Sequence, residues 1–312
     1  MNRFGYCCIC LTLAEKKIST NRGMIQKTFR EKGMGYVAEL ALKNVQDLVK
    51  ILEWNAQQGI EVFRMSSDMF PWWSEYNLEE LPGFSDIAAV LAHAGDLALR
   101  TGQRNSFHPT HFSVLASANP DVVKRAVKDI DQHAVVMDLM GLPGDHNAPI
   151  NIHVNTVQGG KEAAMGRFIQ NFTLLSESTR KRLVVENDDG PGQFTPVDLY
   201  EGLYKKIGTP ITFDYHHHMC NPDGLSQEES LKLSLKTWGC VPMTHFSDSR
   251  RKYEDPKAKE IAHSDWIWNR IETYGETFDI ECEVKSKDLA LLKYFKDFEI
   301  KKQNGITEQT CG

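Results

Sequence analysis

Short apolar, β-branched runs alternate with longer amphipathic segments along the chain. The short runs predict strands at Arg3–Cys8, Ile60–Met65, Asn105–Phe107, Pro149–Val154, Arg182–Glu186, Pro210–Asp214, Val241–Phe246 and Asp279–Val284. Between them apolar residues recur every three or four positions, the spacing of helices with one buried face. This predicts helices at Val37–Gln57, Phe84–Thr101, Pro120–Leu142, Gly160–Ser178, Pro196–Ile207, Ser226–Trp238, His263–Gly275 and Lys287–Phe298. Asn119-Pro120 and Thr195-Pro196 each set a capping side chain before a proline suited to the first helical position, and Gly208 and Gly275 stand where helices close.

Eight strands alternating with eight helices is the rhythm of an α/β fold of the (β/α)8 TIM-barrel kind, whose usual size is about 250 residues. An open doubly wound sheet shares that rhythm, but no GxGxxG follows the first strand, which removes the commonest reason to prefer it. With no repeat, linker or low-complexity tract, the expectation is one domain over residues 1–300. The tail 301–312, KKQNGITEQTCG, has no apolar period and is expected to be disordered.

Composition narrows the class without choosing a function. Of 312 residues, 41% are hydrophobic and 25% charged, enough apolar material for a large core. No apolar run reaches the roughly 18 residues a membrane span needs, and the N-terminal sequence lacks the features of a signal peptide. Seven cysteines at low density suit a reducing compartment, so a cytoplasmic or nucleoid-associated protein without membrane partners is expected. Cys7, Cys8 and Cys10 lack a second cysteine group at ligand spacing and are read as packing residues. A net charge of −6 weighs against nucleic acid. That objection weakens because clustered carboxylates are cancelled by divalent ions, and because Arg250, Arg251, Lys252, Lys257 and Lys259 are bunched.

A TIM barrel assembles its site at the C-terminal ends of its strands. At or just past those ends stand His108, His153, Glu186, Asp214, His217, His245 and Glu283, with His263 after the seventh strand. Imidazole nitrogens and carboxylate oxygens are ligands for zinc or manganese, and a carboxylate can bridge two ions. So many acids and histidines converging on one mouth are hard to stabilise without ions. Eight candidates exceed what one ion needs, and paired ions suit in-line displacement at phosphorus.

The segments FGY and LTL near the start, then SFHPTHF, NIHV, VVENDD, TFDYHHH, THFSDS and ECEVKSKDLAL, resemble in order and spacing the UV damage endonuclease family, over roughly residues 3–292. That family is distantly similar to endonuclease IV, with a shared barrel and a trinuclear metal centre. The resemblance implies a DNA repair endonuclease that cuts damaged double-stranded DNA immediately 5′ to cyclobutane pyrimidine dimers and 6-4 photoproducts, leaving a 3′-hydroxyl and a 5′-phosphate. It implies two or three manganese ions, with magnesium or zinc as lesser candidates, and a monomer. Carried over by position, His108, His153 and Glu186 hold one ion. Glu186 bridges to a second held with Asp214, His245 and Glu283, and His217 with His263 holds the third. Glu186, Asp214 and Glu283 thereby become the carboxylates at the reacting phosphate, where Lys285 adds positive charge. Tyr6 matches a tyrosine near the damaged nucleotides. His111-Phe112 stands where the family has Gln-Tyr, inserted opposite the extruded lesion. Met243 replaces a lysine that contributes to the family's metal centre when carboxylated.

Outside these matches, Phe70, Pro71, Trp72, Trp73 and Tyr76 form an aromatic stretch read as packing or DNA-contacting. Asn187 and Asp188 are candidates to orient ligands, and His216 and His218 are read as second-layer or solvent-facing. Two other enzymes would use the same ligands: an endonuclease IV-like AP endonuclease, and a sugar isomerase or epimerase of the xylose isomerase type. The His111-Phe112 loop and the FGY start argue against the first, and the wedge and basic rim against the second.

Overall fold

A computed structural model describes residues 2–300. The tail expected to be disordered lies outside the described residues. Eight parallel strands close on themselves in sequence order: β1 (Phe4–Cys7), β2 (Val62–Met65), β3 (Arg104–Phe107), β4 (Ile150–Ile152), β5 (Leu183–Glu186), β6 (Ile211–Asp214), β7 (Met243–Phe246) and β8 (Asp279–Cys282). Closure is made by β1 and β8, with Gly5 opposite Glu281 and Tyr6 opposite Cys282.

Strand side chains alternate between the two faces, and this barrel uses the alternation to separate tasks. Outward residues such as Phe63, Met65, Phe107, Ile150, Ile152, Leu183, Val185, Ile211, Phe213 and Ile280 join one apolar core with the surrounding helices. Inward residues are mostly polar: Arg64, Ser106, Asn151, Glu186, Thr212, Asp214, His245 and Glu281 are all buried. The apolar exception is a small layer of Val62, Val184 and Met243, packed with Trp238. Below it Asp279 accepts from Arg3 and Arg104, each at 2.8 Å, tying β8 to β1 and β3 at the N-terminal end.

The expected helices are present with three differences. The first runs Gln26–Gln58, longer than predicted, and breaks at Gly33, whose φ of 62° leaves the helical region. The segment predicted as one helix from Gly160 divides into Lys161–Phe172 and Glu177–Arg182, because the Ser176 side chain accepts from the Thr179 amide and starts a new helix. No helix follows His263. The Asp265 and Trp266 amides are taken by the Glu254 carboxylate and the Trp268 amide by Asp248, at 2.8 to 3.0 Å. Acceptors from elsewhere in the chain thus replace the carbonyls a helix would supply, and Ile267 and Ile271 turn into the core. A short helix, Tyr215–Cys220, follows β6 directly, capped by Asp214 Oδ1 accepting from the His217 amide at 2.7 Å. In the helix Phe84–Arg100, Gly95 lies against the Met140 carbonyl; a Cβ there would fall 1.7 Å from that oxygen. No helix among the described residues is long and apolar enough to cross a membrane.

Candidate metal centre

The C-terminal mouth is built from residues that end the strands or follow them by one step. Glu186, the last residue of β5, is fully buried and lies at the centre. His108 Nε2 and His245 Nδ1 approach its Oε2 at 3.1 and 3.0 Å, with His153 Nε2 at 3.6 Å; His217 Nδ1 approaches Oε1 at 3.1 Å. Asn151 of β4 donates to Oε2, orienting the carboxylate.

Two sets of ligand atoms each converge within 4.8 Å: His108, His153 and Glu186, and Glu186, Asp214, His245 and Glu283. The expected third pair is looser. His217 and His263 have ring centroids 5.9 Å apart, and His263 Nδ1 is 2.8 Å from Ser247 Oγ and 3.8 Å from Glu283 Oε2. Despite those short approaches, Glu186 Oε1, Asp214 Oδ2 and His245 Nδ1 are buried with no contact in hydrogen-bond geometry, the His217 Nδ1 being turned to the Asn187 carbonyl. Buried polar atoms ordinarily find partners, and three orphans sharing one pocket of hard and imidazole donors fit divalent ions.

Electrostatics point the same way. Burial alone would raise the Glu186 carboxyl, but His245, His153 and the hydrogen-bonded imidazoles hold it well below the usual range. Burial lowers His108 and His263, favouring the neutral form that ligates. Burial also opposes charge on His245, yet Glu186 and Glu281 lift it to about 10. His217 is lifted well above 6.5 by Asp214 and Glu186 against the same penalty.

Ligand orientation is fixed from behind. His153 Nδ1 lies 3.0 Å from Asp188 Oδ1, and His108 Nδ1 3.0 Å from the Pro109 carbonyl. The Asn187 side chain accepts from the Asp214 amide and donates to its carbonyl, while the Asn187 carbonyl meets His217 Nδ1 at 2.9 Å. Neither neighbour in the histidine triplet faces solvent. His218 contacts Asp223 at 3.3 Å, and His216 packs 5.1 Å from His263.

Several predicted residues stand elsewhere. Tyr6 is a correction: it lies on the outward face of β1, is 0% exposed, and donates to Asn55 Oδ1 at 2.8 Å. The alternation that sends Gly5 and Cys7 inward turns Tyr6 into the helix layer, so it does not reach the mouth. His111 and Phe112 sit on the loop after β3 with ring centroids 4.0 Å apart, and Phe112 is 75% exposed. Lys285 is exposed at the rim. Lys287 is half-buried instead, and its charge bears on His263 and Cys7. Met243 lies in the apolar layer inside the barrel and offers no ligand atom toward the mouth. Phe70, Trp73 and Tyr76 pack inward, whereas Trp72 takes φ of 59°, a left-handed conformation rare for a bulky residue, and stacks on Phe29. Trp72 and Phe112 line one cleft of about 540 Å³ with Asp68, Thr110 and Arg125.

Two buried charges directly beneath the mouth escaped the sequence reading, Arg64 and Glu281. Arg64 Nε meets Glu281 Oε2 at 2.9 Å and its Nη2 donates to Glu283. Burial would raise the Glu281 carboxyl, but Arg64, His245 and Ser106 bring it down to about 2. The signal was present: a charged residue at an inward position, alone among apolar residues in Val62-Phe63-Arg64-Met65 and alternating with them in Asp279-Ile280-Glu281-Cys282.

Comparison with known proteins agrees with this geometry. The family model described as UV-endonuclease UvdE matches residues 2–311. A putative UV-damage endonuclease of Acanthamoeba polyphaga mimivirus is 29% identical, over 96% of this chain and 92% of that protein. The crystal structure of SacUVDE superposes with a TM-score of 0.84 at 28% identity, over 97% of this chain and 100% of the other. Endonuclease IV from Thermus thermophilus shares the fold, with a TM-score of 0.57 at 13% identity, over 95% and 98% of the two chains.

Proposed function

The chain belongs to the UV-damage endonuclease family, and from that premise we propose that it nicks duplex DNA immediately 5′ to UV photoproducts, leaving a 3′-hydroxyl and a 5′-phosphate. The observation that carries the chemistry is the pair of ligand sets meeting at Glu186. His108, His153 and Glu186 would hold one divalent ion, and Glu186, Asp214, His245 and Glu283 a second, with manganese the expected metal. His217 and His263 complete the rim as ligands of a third, more weakly held. Divalent ions held by these residues would supply Lewis-acid chemistry for an in-line displacement at phosphorus.

The chain's own groups do the rest. Glu186 is held by Asn151 and shared by both sets, which fixes their separation. Phe112, exposed and backed by His111, is the wedge that fills the gap left by extruded bases. A lesion already unstacked in the duplex is cheaper to extrude than intact bases, so selectivity draws on the DNA's own lost stacking. The cleft between Trp72 and Phe112 gives the extruded bases an aromatic wall. Lys285 and the basic residues after Ser249 supply phosphate contacts along the rim. Residues 1–300 are proposed to act as one domain and one monomer.

The test is incision of a 5′-labelled duplex carrying one cyclobutane dimer, with manganese, beside an undamaged duplex and one with an abasic site. We expect a single cut immediately 5′ to the dimer, abolished by EDTA and by Glu186→Gln. Cutting only at the abasic site would assign the activity of an AP endonuclease instead.

A further inference from the structure

Beneath the ligand ring, the barrel interior holds a cross-barrel cluster that the proposed reaction leaves unused. Arg64 on β2 and Glu281 on β8 are buried and face inward, and Ser106 on β3 donates to Glu281 Oε1. Glu281 Oε2 also lies 3.1 Å from His245 Nε2. The other ring nitrogen of His245 faces the mouth, 3.0 Å from Glu186 Oε2 and 3.3 Å from Glu283 Oε1.

An imidazole offers a lone pair at one nitrogen when its proton resides on the other, so the group at Nε2 decides whether Nδ1 can ligate. Arg64 Nη2 also approaches Nε2, at 3.3 Å, but a guanidinium only donates and cannot accept the Nε2 proton, and its much shorter contact is with Glu283. The acceptor available to Nε2–H is Glu281. Below the cluster, Val62, Val184, Met243 and Trp238 form an apolar layer, so bulk water does not compete for that proton from below.

We infer that Glu281, clamped by Arg64 and Ser106, is a positioning residue that keeps the proton of His245 on Nε2 and aims Nδ1 at the ion shared by Glu186, Asp214 and Glu283. The same guanidinium steadies Glu283, so one buried triad anchors two of the four ligands in that set. This inference rests on the metal-centre reading and deepens it.

Manganese affinity of the full chain, measured without DNA by electron paramagnetic resonance titration, separates the two. Glu281→Met is expected to weaken the tighter-coupled set by roughly 10- to 100-fold, the usual effect of removing a partner behind a metal ligand. Glu281→Gln keeps a carbonyl acceptor and is expected to restore most of that loss. Because Glu281→Met leaves Arg64 paired with Glu283 alone, Arg64→Met combined with Glu281→Met is measured beside it; the buried guanidinium is then gone, Glu283 loses its support as well, and binding is expected to be weakened at least as much. In the wild-type chain loaded with zinc, ¹⁵N-histidine spectra are expected to show His245 protonated at Nε2 and ligating through Nδ1. Wild-type affinity in the double variant, or ligation through Nε2, overturns the inference alone. A wild-type chain that binds no manganese overturns the metal-centre reading and this assignment with it.

Discussion

Removing the metals with a chelator leaves a buried cluster of carboxylates that protons must balance, and this predicts how the stripped protein responds to pH. In that state His245 titrates near 10, with burial opposing its charge and Glu186 and Glu281 overcoming that penalty, and His217 is raised well above 6.5. Histidines in the unfolded chain titrate near 6.5. The folded protein therefore keeps protons that the unfolded chain has released. The stability they confer is complete below about pH 6.5 and is lost as pH rises toward 10. Histidines lowered by burial, His108 and His263 among them, finish titrating below that range. The thiols Cys7, Cys8, Cys10, Cys220, Cys240 and Cys282 are all raised by burial and add a loss of the same sign as pH nears the ordinary thiol value of about 8.5, a part that manganese leaves unchanged. Between pH 7 and 8.5 the difference in slope between the stripped and the manganese-loaded protein is thus set mainly by the mouth. One retained proton is worth about 1.4 kcal/mol per pH unit, so His245 alone accounts for a loss of about 2 kcal/mol over that interval, and the raised His217 adds to it in the same direction. Urea unfolding of EDTA-dialysed protein at four pH values across the window measures it. Saturating manganese displaces those protons, so the loaded protein is expected to hold its stability or gain with pH. Constant or rising stability in the stripped protein between pH 7 and 8.5, or equal slopes with and without manganese, would refute the reasoning.

Phe112→Ala is expected to leave the melting temperature unchanged, since the ring is largely exposed, and to weaken incision at a dimer by roughly 5- to 150-fold, the equivalent of ~1 to 3 kcal/mol of base stacking; equal activity in a single-turnover assay would remove its wedge role. Tyr6→Phe deletes the buried hydroxyl bonded to Asn55, and should lower stability by about 1 kcal/mol while incision per folded molecule persists; a selective loss of incision would return Tyr6 to the lesion. Gly95→Ala drives a Cβ onto the Met140 carbonyl, so denaturant midpoints should fall by the equivalent of about 2 kcal/mol or more, and an unshifted midpoint would show that the two segments separate without strain.

The barrel was legible because its rhythm depends on local patterns: a buried parallel strand is apolar outward, and each connecting helix carries one apolar stripe. The seven candidate ligands at strand ends followed from placing those ends correctly, since a TIM barrel brings all of them to one mouth. What the pattern hid depended on contacts between distant segments. The segment after His263 has helical spacing, yet Glu254 and Asp248 capture its amides, and nothing in the local sequence announces that. Tyr6 was misplaced because motif matching ignores which face of a strand a residue occupies, whereas the period of two already placed it opposite Gly5 and Cys7. Arg64 and Glu281 were missed for the converse reason. Each interrupts a strand at an inward position, and meaning attaches only when closure of the barrel brings β2 and β8 to either side of β1, with both side chains in the lumen.

The division between outward and inward faces has an evolutionary consequence. Cohesion resides in the annulus between strands and helices, while the lumen carries mostly charge and hydrogen bonds, so a mutation at a mouth ligand alters reactivity without opening a void in the annulus. Heritable changes in chemistry and in foldability can accordingly accumulate on separate sets of codons, odd and even along the same eight strands. A scaffold arranged in this way tolerates exploration at its mouth while the barrel itself stays closed.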